Sequence, residues 1–238
     1  MSEAIRVVLT CLAAVCAGVV LGNGAVYFFN RIPGGWLCDY GQEPDEELLH
    51  PTVQRVRSTP WKYIFSGLFI VMAIWLALRD PLYGVAALAA VWLLLEMAIA
   101  DMKYRIVPDQ LVFLLVVCGC GFIPFHKAGP LSGLWGALIG FGVMFFIGLL
   151  GRLIYRKDTL GGGDIKLFGA LGLCCGGEGI ITVFILTTLL SAGHLVYLLA
   201  RKRVKLTDRQ PMVPYIALAA GIYLVLLHEI RYNIMILF

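Results

Sequence analysis

Residues 131–150 read LSGLWGALIGFGVMFFIGLL, twenty positions without a single charged side chain. As a helix this run rises about 30 Å, the thickness of a bilayer's hydrocarbon core. Nothing in water asks for such a segment. In lipid a helix satisfies every backbone polar group internally, which is why the reading is a transmembrane span. Similar runs recur on both sides, near Ile5–Phe29, Trp61–Leu78, Leu82–Ala100, Leu111–Phe125, Leu131–Leu150, Ile165–Cys175, Ile180–Ala200 and Met212–His228. The predicted fold class is all-α, a polytopic integral membrane protein with about eight transmembrane helices.

Composition agrees. The 238 residues are 60% hydrophobic and only 14% charged, and mean hydropathy is +0.87. Soluble domains run near a quarter charged. Eight spans use about 160 positions, so no large soluble domain fits among the connections. A secreted disulfide scaffold, a nucleic-acid-binding module and a dinucleotide-binding enzyme are excluded on the same ground. We divide the chain into 1–60, an anchor helix with a short connection, and 61–238, a membrane-embedded domain.

Sidedness follows from the cations. With the connection from Arg31 to Pro60 in the cytoplasm, fifteen of the nineteen Lys and Arg residues fall inside. Arg6, Arg79, Lys127 and Arg231 fall outside, a strong positive-inside bias. The first span is too long for a removable signal peptide and lacks the flank of a cleavage site, so it is expected to stay as an anchor. Ile165–Cys175 is the weak span, 11 residues or about 16 Å of helix. A re-entrant course for it would move the five cations of 201–209 outside, against the charge rule.

The seven cysteines contain no Cys-x-x-Cys pair, so neither a zinc site nor a disulfide framework is expected. His194 lies inside a span, where packing or an interhelical hydrogen bond is the favoured reading over catalysis.

Ionisable groups at membrane depth are costly and therefore candidates for function. They are Glu96, Asp101 and Asp164. Taken alone, Asp101 is an acid among the cations of 103–105, and Asp164 is an N-cap after Gly161-Gly162-Gly163. Taken together they say more. Two spans separate them, so both return to the same membrane edge on helices free to be neighbours. Two carboxyls sharing a site hold one proton between them. The ionised one takes a proton from water while the other donates to a carbonyl oxygen. The glycines let a substrate backbone approach, having no Cβ. Glu96 stands about 140° around the helix from Asp101 and is read as an interhelical hydrogen bonder.

The segment Gly161-Gly162-Gly163-Asp164-Ile165-Lys166-Leu167 resembles the Gly-x-Gly-Asp-x-Lys signature of type IV prepilin peptidases, the GxGD membrane aspartic proteases. Asp101 followed by Pro108-Asp109 is similar to that family's other aspartate motif, and the 63-residue spacing of the aspartates suits it. Gly22–Pro33 and Pro214-Tyr215 resemble further family elements. The resemblance implies that 61–238 is an aspartic peptidase domain with Asp101 and Asp164 as the catalytic pair. Gly161, Gly162, Gly163, Lys166, Pro108 and Asp109 would be the motif residues around them. It implies a prepilin or pseudopilin precursor as substrate, cleaved after a short basic leader at the cytoplasmic face of a bacterial inner membrane. Lipid is the other partner, and nucleic acid is not one.

The chain departs from the family in one region. Many bacterial members carry a larger insert after the first span, with two Cys-x-x-Cys pairs that bind zinc, associated with N-methylation from S-adenosylmethionine. Here 34–60 is 27 residues and holds only Cys38. No cofactor is expected, neither zinc nor S-adenosylmethionine, and methyl transfer is not expected. The same connection carries Glu43, Asp45, Glu46 and Glu47, candidate leader-binding acids on a basic face; the alternative is a solvated charged loop. Rival readings are a presenilin or signal-peptide-peptidase type of GxGD protease, a small ion-coupled transporter with Asp101 and Asp164 as relay groups, and a pilin chaperone. The Ala100-Asp101 and Pro108-Asp109 pattern favours the prepilin type.

Overall fold

The computed structural model describes residues 3–38, 44, 48, 54–126, 128–156, 160–203 and 210–228. No strand occurs among them. The helices are α1 (Glu3–Arg31), α2 (Ser58–Ala77), α3 (Pro81–Tyr104), α4 (Asp109–Cys120), α5 (Ser132–Tyr155), α6 (Gly162–Ala200) and α7 (Val213–Ile222). A π-helical turn, Tyr223–Leu227, continues α7. The chain forms two compact units, Met1–Glu96 and Met97–Phe238.

In the first unit α1 buries Ala14, Gly18, Gly22, Ala25, Val26 and Phe29, one stripe at helical spacing. A Cβ on Gly18 would stand 2.5 Å from the backbone nitrogen of Ile70, and one on Gly22 would overlap the backbone of Ser66. Two glycines four apart thus bring α1 and α2 backbone to backbone. Helices pack this way where lipid removes the hydrophobic drive between them. Val8, Leu12 and Val20 of α1 are exposed, an apolar face fit for acyl chains. Trp92 of α3 donates its indole N–H to the Leu21 carbonyl at 3.1 Å.

The chain after α1 is tied back to it. Asn30 accepts from the Val56 backbone N–H at 2.8 Å and donates to the Val56 carbonyl at 3.0 Å. Buried Arg55 donates to the carbonyls of Phe29, Ile32 and Leu48. The acids Glu43, Asp45, Glu46 and Glu47 lie outside the described residues.

The second unit is built on α5 and α6. A Cβ on Gly136 would overlap the Gly172 carbonyl, and one on Gly172 would overlap the Gly136 backbone. This pair fixes where the two helices cross. Within α6, Gly176 has φ 71° and ψ 175°, a conformation that glycine alone adopts readily. The rings of Phe168 and Phe184 are 6.1 Å apart, whereas sixteen residues of straight helix would separate them by about 24 Å. The chain therefore doubles back at Gly176, and α6 is a hairpin of two helical arms. Near the turn the Leu173 carbonyl is 2.8 Å from Nε2 of His126, which must donate because a carbonyl only accepts. Tyr223 donates to the Cys175 carbonyl at 3.4 Å. Backbone acceptors at a break inside lipid need such partners.

Five of the helices among the described residues are long and apolar enough to cross a membrane, and Asp109–Cys120 and Val213–Leu227 are shorter apolar helices. A count of eight full spans is thus not reached. The expected span Leu111–Phe125 stops as a helix at Cys120, because Gly119 and Gly121 frame its end and a 3-10 turn, Ile123–Phe125, follows. The expected spans Ile165–Cys175 and Ile180–Ala200 are the arms of the α6 hairpin. The span at Leu131–Leu150 continues to Tyr155, where Arg156 closes the helix in the left-handed conformation.

Candidate active site

Four chain segments of the second unit meet around two carboxyl groups. Asp101 stands in the last full turn of α3 and is 7% exposed. The helix ends at Tyr104, and the next residue, Arg105, adopts φ 56° and returns its N–H to the Asp101 carbonyl. The chain then runs through Ile106 and Val107 to Pro108, the N-cap of α4, whose fixed φ suits a helix start. Asp101 Oδ2 accepts the backbone N–H of Val213 at 2.9 Å, and the Met212 N–H also reaches this carboxyl. The first turn of α7 thereby holds Asp101 through two main-chain donors.

Asp164 is the third residue of α6. Gly161, not Asp164, is the N-cap. The Asp164 carboxyl reaches back to the Gly161 N–H, the acidic half of a capping box. The N-cap role read for Asp164 from sequence is thereby moved three residues upstream. The carboxyls of Asp101 and Asp164 are close enough to interact directly through their charge.

The three glycines have three surroundings. A Cβ on Gly163 would stand 2.8 Å from the Val107 Cβ, so this glycine lets the α3–α4 connection cross the start of α6. Around Gly162 there is nothing within 4 Å of an added Cβ, and at Gly161 only the Asp164 carboxyl is near. Open space beside the aspartates is therefore found at Gly162. Lys166 places Nζ 2.8 Å from both carboxylate oxygens of Asp109. That ion pair ties the first residue of α4 to the fifth residue of α6. The motif residues Pro108, Asp109, Gly161, Gly162, Gly163 and Lys166 thus stand together around Asp101 and Asp164.

Other sequence expectations fare differently. Glu96 is fully buried, but neither of its carboxylate oxygens has a hydrogen-bond partner among the described residues, so the interhelical bond expected for it is not formed there. His194 pairs with the Tyr215 hydroxyl, the interhelical bond that its place in a span suggested. The Val213 N–H and the Val107 packing were not legible as site contributors. Their only sequence signal is adjacency to Pro108 and to Pro214-Tyr215. Among the described residues no group of three or more His, Cys, Asp and Glu is gathered so as to hold a metal ion.

Fold and site define a helical membrane protein with paired aspartates at adjacent helix ends. Residues 88–196 match the sequence model of the Type IV leader peptidase family. That match contains Asp101, Pro108-Asp109 and Gly161–Lys166, the motifs that carried the resemblance.

Named relatives are alike. The Prepilin leader peptidase/N-methyltransferase of Stutzerimonas stutzeri is 29% identical over 140 residues, 58% of this chain and 48% of that protein. Its counterpart in Pseudomonas aeruginosa is 30% identical over 140 residues, again 58% and 48%. The Escherichia coli K12 protein of the same name is 28% identical over 108 residues, 43% of this chain and 46% of the relative. The chain thus spans about half the length of the curated relatives it matches. No solved structure matches it.

Proposed function

We propose that this protein is an aspartic endopeptidase that removes the basic leader from type IV prepilin-like precursors at the cytoplasmic face of a bacterial inner membrane. The observation that carries the reading is the pairing of Asp101 and Asp164, each held by main-chain donors of a different helix start. The family match over 88–196 supports it, as do the apolar helices.

The chemistry needs water and the two carboxyls. The ionised carboxyl removes a proton from water as the oxygen attacks the scissile carbonyl carbon. The protonated carboxyl donates to the carbonyl oxygen, giving a neutral gem-diol. On collapse the C–N bond breaks, the proton passes to the leaving amine, and the pair returns to its starting state. No covalent intermediate with the enzyme forms. The open space at Gly162 gives the substrate backbone its approach, and the Lys166–Asp109 pair holds the two motif segments together. The reading does not extend to methyl transfer, since the 34–60 connection holds Cys38 as its only cysteine.

The test is cleavage of a prepilin-like substrate by purified protein in liposomes, against Asp101→Asn and Asp164→Asn. Cleavage by the wild type and its loss by at least a thousandfold in either variant is expected. Undiminished cleavage by either variant would exclude the paired-aspartate mechanism.

A further inference from the structure

Both main-chain donors that hold Asp101 belong to one short turn. Met212 is the N-cap of α7 and Val213 its first residue, positions whose N–H groups find no acceptor within their own helix. Here both are turned on the Asp101 carboxyl. The Met212 carbonyl accepts the N–H groups of Tyr215 and Ile216 at 3.1 and 3.2 Å, so Met212 to Ile216 moves as one piece. From that piece the Tyr215 hydroxyl is hydrogen-bonded to Nδ1 of His194, on the returning arm of α6, and the two rings are 5.6 Å apart. The His194 ring is itself stacked on Tyr197, with 6.4 Å between centroids and 24° between planes.

Around that bond the arm and the start of α7 stand apart. A groove of about 320 Å³ opens between them, walled by Thr188, Leu195 and Leu198 on one side and by Gln210 and Met212 on the other. The Tyr215–His194 bond spans it. Backbone that borders a groove has room to shift, and a shift of the turn carries both N–H groups off the carboxyl. Displacing a reacting group by about 1 Å can cost a hundredfold in rate. The outgoing arm of the same helix carries Asp164 as its third residue, and Phe168 against Phe184 holds the two arms side by side. α6 therefore bears one carboxyl and, through His194, reaches the donors of the other.

We infer that His194 and Tyr215 are positioning residues for the cleavage: their bond keeps the Met212 and Val213 N–H groups on Asp101 and so fixes that carboxyl relative to Asp164. This rests on the peptidase reading and adds two residues to its machinery. Neither side chain exchanges a proton with the substrate or the attacking water. Their contribution falls on the chemical step, where the carboxyls act, and not on substrate binding. The imidazole serves only through its hydrogen bond at Nδ1, so an amide that offers a polar atom near that place replaces it.

The experiment measures kcat and KM in liposomes on a prepilin-like substrate with a basic leader. The wild type is compared with Tyr215→Phe, His194→Ala, His194→Asn and the double variant Tyr215→Phe with His194→Ala. Each of the first two is expected to lower kcat about 10-fold with KM unchanged within twofold. The double variant is expected to lose no more than either single one, because both remove the same bond. His194→Asn is expected to recover most of the loss. In parallel, the Met212 amide proton is followed by NMR of 15N-methionine-labelled protein in detergent, its resonance assigned by Met212→Leu. Tyr215→Phe is expected to move that resonance, and His194→Asn to leave it near its wild-type place. Losses that multiply in the double variant, a change in KM alone, or an Asn variant no better than Ala overturns the inference and leaves the peptidase reading intact. Wild-type protein that cuts nothing overturns the peptidase reading, and with it the catalytic purpose of the bond, while an unmoved Met212 resonance overturns the bond's hold on the turn.

Discussion

Lys166 bonds both carboxylate oxygens of Asp109 at 2.8 Å, across 57 residues of sequence. The two side chains are 54% and 46% exposed, so the pair adds little to stability; such surface pairs contribute about 0–1 kcal/mol. Its effect is on position, because it joins the α4 and α6 starts that frame the aspartates. Displacing reacting groups by about 1 Å can cost a hundredfold in rate. Lys166→Ala and Asp109→Ala should each lower kcat about 10-fold while melting temperatures stay within about 2 °C. The exchanged pair, Asp109→Lys with Lys166→Asp, should recover part of the loss. Melting curves and steady-state kinetics on the same preparations check this, and a loss of kcat that simply follows unfolding would refute the positioning role.

Gly163 and Val107 form a second test. An alanine at 163 drives its Cβ to 2.8 Å from that of Val107, closer than carbon atoms tolerate. Gly163→Ala should lower cleavage at least 10-fold, and adding Val107→Ala should restore much of it. Gly162→Ala meets nothing within 4 Å in the free protein. It should leave the melting temperature unchanged and raise KM, because the space it fills is the one left for substrate. Thermal melts and KM values on the three variants decide between the two roles.

The crossing of α5 and α6 can be probed with two glycines three residues apart. Gly172→Ala overlaps the Gly136 backbone, while a Cβ at Gly169 comes only to 3.4 Å of the Phe141 Cβ. Overpacking at a tight contact costs about 1–3 kcal/mol. Gly172→Ala should therefore destabilise the protein by that amount in denaturant titrations in detergent. Gly169→Ala should be near neutral, and equal costs at both sites would remove the crossing as the cause.

Attraction of a basic leader by Glu43, Asp45, Glu46 and Glu47 is an expectation of the sequence alone, and salt tests it. Replacing all four by their amides should slow cleavage of a Lys-rich leader several-fold at low salt and flatten its salt dependence. Rates unchanged at low ionic strength would remove these acids from leader binding.

What the sequence made legible follows from what lipid penalises. Asp101 and Asp164 stand out because a carboxyl inside an apolar run needs a reason, and even-numbered span counting puts them at one edge. The break at Gly176 fell between the two runs read as separate spans, since a residue of positive φ interrupts hydropathy as well as helix. The Val213 N–H was hidden because every residue but proline carries one, and only the folded chain aims it. Gly163 looked like room for substrate, yet the room is taken by Val107, a contact between segments 56 residues apart. The early end of α4 was hidden because Gly119, Cys120 and Gly121 continue an apolar run while no longer favouring helix.

Asp101 is the twenty-first residue of α3, about 30 Å of helix from Pro81. That rise is one hydrocarbon thickness, so the helix works as a ruler whose mark is a carboxyl.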